Sequence, residues 1–118
     1  MTQIVECGRT VAGEIVAFDI KWDGELATDD AAWSARILNH DGEQVRLVHE
    51  RSRGQAHQYV EAANGRDDVP VDADLRDDDV IVRFPASVVG VAVEWPTWIA
   101  VLAVDGRDVA EEAIPLRS

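Results

Sequence analysis

The chain has almost no cysteine and almost no lysine. Cys7 is its only thiol, so no internal disulfide can hold the fold. No Lys or His adjoins it, and the expected role is a small semi-buried residue rather than a reactive nucleophile. Lys21 stands alone among arginines, and with abundant Ala, Val and Asp this bias fits a GC-rich bacterial genome or a high-salt cytoplasm. No apolar run approaches the roughly 20 residues of a membrane helix. The first residues, Met1-Thr2-Gln3-Ile4-Val5-Glu6, have neither the basic patch nor the apolar core of a signal peptide, so a cytoplasmic location is expected. Ser34, Ser52, Ser87 and Ser118 lack a Gly-x-Ser-x-Gly frame. The glycines are dispersed rather than gathered in a phosphate loop, and no His-x-His, His-Glu-x-x-His or Cys pair is present.

Positive charge is scarce as well. Eleven Lys and Arg face 23 Asp and Glu, a formal net charge of −12. Such a chain repels phosphate backbones and anionic membrane surfaces, which excludes non-specific nucleic-acid and membrane binding as expected functions. It stays compatible with cations and with basic partners. Half of the net charge lies in one stretch, Asp67 to Asp79, which holds seven Asp and one Arg.

What the chain does have is alternation with period two. Val16, Phe18, Ile20 and Trp22 fall on one face of a strand, with Asp19 and Lys21 on the other. Trp33–Ile37 and Val45–His49 alternate on either side of His40-Asp41-Gly42, which reads as a three-residue hairpin loop with Gly42 in the left-handed position. The register that gathers the apolar residues pairs Asn39 with Glu43, Ile37 with Val45, Ala35 with Leu47 and Trp33 with His49. His57–Ala62 is a further strand, ended by Asn64-Gly65. Val71 and Leu75 could anchor a short edge strand inside the acidic stretch. Val80–Pro85 is a strand stopped by proline, and Ala86–Gly90 reads as one helical turn. Val91–Pro96 reads as extended, Trp98–Val104 as a central strand, and Arg107–Ala113 as its hairpin partner, with order ending at Pro115. Eight or nine short strands without an amphipathic helix predict one all-β domain over 1–118. The expected form is a two-sheet antiparallel sandwich, immunoglobulin-like or jelly-roll-like, with a small β-barrel as the alternative.

The run Phe84-Pro85-Ala86-Ser87, then Trp98, then Val104-Asp105-Gly106-Arg107-Asp108-Val109 resembles bacterial, largely actinobacterial, β-sandwich domains of unassigned function. There a strand ends in Phe-Pro-Ala-Ser, a Trp-bearing strand follows, and a Val-Asp-Gly-x-Asp-Val hairpin closes the sheet. The resemblance covers about 30 of the 118 residues and implies an immunoglobulin-like or carbohydrate-module-like sandwich. Its motifs are structural and bring no catalytic residue with them.

Candidate chemistry is sparse. His40 lies in the predicted loop, and His49 lies at the edge of the apolar face. Pairing Arg51 with Ala56 sets Glu50 opposite His57, an arrangement that serves as a surface ion pair, a metal fragment or an acid–base pair. Asp72, Asp74, Asp77 and Asp79 are the candidate oxygen ligands if calcium binds; otherwise no cofactor is expected, and their spacing is not that of an EF-hand loop. Trp95 and Trp98 flank Pro96-Thr97 and are the candidate ligand-binding aromatics, for a sugar ring or a partner's pocket. The expected function is a non-enzymatic interaction module that takes a protein partner or another copy of itself. The alternative is a calcium- or carbohydrate-binding module, and a small hydrolase built on Glu50 and His57 is the third reading.

Overall fold

In a computed structural model, which describes residues 2–26 and 29–117, the alternating segments form two stacked antiparallel sheets. Ala27 and Thr28, within the polar stretch that follows Asp23-Gly24, lie outside the described residues, as do Met1 and Ser118. The strands are β1 (Gln3–Ala12), β2 (Ile15–Asp23), β3 (Asp30–Leu38), β4 (Gln44–Ser52), β5 (Gln55–Ala62), β6 (Gly65–Val69), β7 (Ala73–Leu75), β8 (Asp79–Pro85), β9 (Thr97–Val104) and β10 (Arg107–Ala113). One sheet has the order β1-β2-β8-β7 and the other β10-β9-β3-β4-β5-β6. This is the expected all-β sandwich.

Alternation decides what is buried. Val16, Phe18, Ile20 and Trp22 of β2 and Val80, Val82 and Phe84 of β8 face the larger sheet across the core. From the larger sheet come Trp33, Ala35 and Ile37 of β3, Leu47 of β4, Val60 of β5, and Trp98, Ala100 and Leu102 of β9. The β3–β4 register is the one the apolar pattern dictates: Ile37 opposite Val45, Ala35 opposite Leu47, Trp33 opposite His49. The loop between them is pinned by Asn39, whose Oδ1 accepts from the amides of Asp41 and Glu43 at 2.9 Å each. Gly42 has φ 82°, as the left-handed position requires.

Four segments differ from the sequence reading. β1 is a full strand, paired with β2 across a bulge at Val5 that interrupts its alternation. β6 follows β5 through the two-residue turn Ala63-Asn64, so the acidic stretch opens inside a strand. Gly90–Glu94 is a 3-10 turn, not extended chain; it follows the single helical turn α1 (Ala86–Val89) and buries Ala92. Order also continues past Pro115. The Pro115 carbonyl accepts from the Arg9 amide at 3.0 Å, and the Arg117 amide donates to the Arg9 carbonyl at 2.8 Å, which lays this segment parallel to β1.

Candidate functional site

The register of β4 and β5 places each candidate histidine. Glu50 lies opposite His57, as expected, but among the described residues their side chains form no salt bridge, and His57 is exposed. His40 is exposed in the β3–β4 loop. His49 is fully buried, and its ring is engaged on both sides. Arg51 Nε donates to its Nε2 at 3.2 Å, so Nε2 is unprotonated and Nδ1–H donates to Gln58 Oε1 at 2.9 Å. Burial is the main reason the imidazole is held below its usual pKa; the charge of Arg51 adds to this, and the Gln58 bond opposes it. Gln58 continues the network: its Oε1 also accepts from the Asp72 amide at 3.1 Å, and its Nε2 donates to the Arg83 carbonyl at 2.7 Å. The same register that sets Glu50 against His57 sets His49 against Gln58, so the pairing was present in the sequence. The network ties the larger sheet to β8 and to the β6–β7 crossover. It leaves neither nitrogen of His49 free for a substrate or a metal.

The candidate calcium ligands do not converge. Arg83 holds Asp72 at 3.2 Å and Asp74 at 2.8 Å, and Arg76 Nε lies 3.1 Å from Asp79. These carboxylates raise the pKa of Arg83, chiefly through the Asp74 hydrogen bond. Asp77 is exposed in the bend before β8. Among the described residues no three His, Cys, Asp or Glu side chains are grouped to hold a metal ion.

Three of the four tryptophans belong to the core. Trp98, expected as a ligand-binding residue, is 2% exposed, which corrects that assignment. Arg9 covers its ring at 4.7 Å from the centroid. Trp95 is different. It is half-buried and lines an open groove of about 790 Å³ at one end of the sandwich. The other walls come from the start of β4 (Gln44, Val45, Arg46), the end of β5 (Glu61, Ala62), the Ala63-Asn64 turn and the start of β6 (Gly65, Arg66), with Gly42 and Glu43 from the β3–β4 loop. Trp95 is fixed by its backbone: its amide donates to the Ala92 carbonyl at 3.1 Å, and its carbonyl accepts from Trp98 Nε1 at 3.1 Å. Pro96 follows and restricts it further. Among the described residues its own Nε1–H makes no hydrogen bond.

The groove's charges are organised in pairs. Arg46 Nη1 donates to Glu61 Oε1 at 2.9 Å across β4 and β5. Arg66 donates to Asp68 at 3.0 Å and lies 3.6 Å over the Tyr59 ring. Two arginines and two glutamates line the walls, and each arginine is matched by a carboxylate, on a chain of net charge −12. No histidine or cysteine lines it. Cys7 lies elsewhere, buried at the β1–β10 side, where its Sγ–H donates to the Ala113 carbonyl at 3.2 Å. Burial, with Glu112 and Asp19 nearby, pushes this thiol up to about 11, so it stays protonated and unreactive at neutral pH. No described helix is long and apolar enough to cross a membrane. No protein-family model matches the chain, and no curated protein matches it as a relative.

Proposed function

We propose that the chain is a non-enzymatic binding module and that the groove beside Trp95 is where its ligand sits. The observation that carries this reading is the half-buried Trp95 indole at the groove, clamped through its own backbone amide and carbonyl. Aromatic side chains held rigidly at a groove give large contact area at little entropic cost. Its volume also falls within the roughly 300–1,000 Å³ range of ligand pockets.

Binding is favoured over catalysis by the state of the titratable groups. Arg46 and Glu61 are already paired with each other, and His49 is occupied by Arg51 and Gln58. Pairing of copies through sheet edges has less support, because β6 carries Arg66, Asp67 and Asp68, and β1 is partly covered by the segment after β10. The test is amide chemical-shift mapping on the full chain, against its own concentration and against neutral saccharides. Shifts gathered at Val45, Ala63, Gly65 and the Trp95 indole are expected. A response confined to another surface would overturn the reading.

A further inference from the structure

From the chemistry of the groove walls we infer that the ligand is a neutral saccharide, stacked on Trp95 and held at its hydroxyls by Arg46, Glu61 and Asn64. This rests on the reading of the groove as a ligand seat and names the ligand class.

Three observations select that class. The first is charge. Both arginines of the groove are already paired, Arg46 with Glu61 and Arg66 with Asp68, so an anion would have to displace a carboxylate, while a cation or a basic peptide meets more negative charge along residues 67–79. The second is the backbone. The main walls are β4 and β5, interior strands hydrogen-bonded on both sides in the order β3-β4-β5-β6. They offer no free ladder to an extended peptide, and the edge strand β6 reaches the groove only with Gly65 and Arg66, so recognition there comes chiefly from side chains. The third is the pattern of those side chains. A flat indole, whose N–H has no partner among the described residues, lines the groove with planar groups that both donate and accept. The Arg46–Glu61 pair, about two-fifths exposed, keeps spare guanidinium donors and carboxylate lone pairs. A pyranose presents the complement: an apolar C–H face and a rim of hydroxyls that each donate and accept. Because Arg46 and Glu61 orient one another before any ligand arrives, less side-chain freedom is lost on binding.

The test uses the uniformly ¹⁵N-labelled full chain, titrated with cellohexaose, xylohexaose, mannohexaose and chitohexaose. At least one of these is expected to move the Trp95 indole resonance saturably, leaving those of Trp22, Trp33 and Trp98 in place. Trp95→Ala should abolish the response at the Val45, Ala63 and Gly65 amides, with the three remaining indole resonances reporting that the fold is kept. Arg46→Gln should weaken binding about tenfold, the loss of one hydrogen bond from a charged donor. The inference is overturned if none of the four sugars moves the Trp95 resonance, or if the shifts survive Trp95→Ala. Should the groove amides then respond to protein concentration, the module reading stands and only the sugar is discarded. A groove silent to every probe discards both.

Discussion

At the scale of single residues, His49 carries the clearest consequence. It is buried and neutral because Arg51 donates to one nitrogen while the other donates to Gln58. Its folded-state pKa is lowered, while the unfolded chain titrates near about 6.5. Between those values the unfolded state binds more protons, so the stabilisation is complete above the unfolded value and is lost as pH falls through the folded one. Urea unfolding at pH 7.5 and pH 5.5 should therefore show the natural chain losing stability on acidification, beyond what its carboxylates contribute. His49→Phe keeps the volume but leaves Gln58 and Arg51 short of a partner. It should cost about 1–3 kcal/mol at pH 7.5 and clearly less at pH 5.5, where the unfolded chain's imidazole takes up a proton that the buried ring resists. An equal cost at both pH values would show that the ring's protonation does not matter to the fold.

At the scale of elements, legibility followed alternation. β2, β3, β4 and β8 were readable because each puts its large apolar residues on one face, and the β3–β4 register followed from requiring those faces to coincide. β1 was not, because Val5 bulges out and Gly8, Arg9 and Thr10 supply no apolar period. The 3-10 turn was missed for a related reason: Val91-Ala92-Val93 is too short to show a period, and only the positive φ of Gly90 turns it inward. At the candidate site, Trp95 was legible from its place beside Pro96, whereas Arg46, Glu61 and Asn64 reach it only through long-range strand pairing. The segment after β10 was hidden because its anchor is a side chain. Arg117 reaches Asp19 at 2.8 Å and Glu6 at 3.2 Å by crossing Gly8, where an added Cβ would overlap the guanidinium. Gly8→Ala should displace Arg117 and loosen that segment alone. Amide exchange would speed up at Arg9 and Arg117 while the amides of β3 and β4 keep their protection. Unchanged exchange at Arg117 would show that the two backbone hydrogen bonds hold the segment without the ion pairs.

At the scale of the whole molecule, the acidic stretch acquires a position. Residues 67–79 take in most of β6, the crossover to the smaller sheet, all of β7 and the approach to β8, so seven aspartates line the side where both sheets end. The opposite side is occupied by β1, β10 and the segment from Ile114 to Arg117. An unpaired edge strand is a template for another chain, and inward-pointing charge is one way to block it. Asp67 is such a charge: it stands opposite the buried Val60, on the core-facing side of β6, yet is exposed. Its desolvation would oppose any strand laid against that edge, and the like charges of a second copy would add to the barrier at low salt. Asp67→Val converts the edge into an apolar, β-favouring one. Sedimentation velocity between about 10 and 500 µM should then show concentration-dependent dimers, strengthened in 1 M salt, where the Debye length falls to about 3 Å. The natural chain should show no association through β6 under the same conditions. If Asp67→Val stays monomeric throughout, the edge is protected by its short length and by Pro70 rather than by its charge, and the acidity of this side of the sandwich must have another cause.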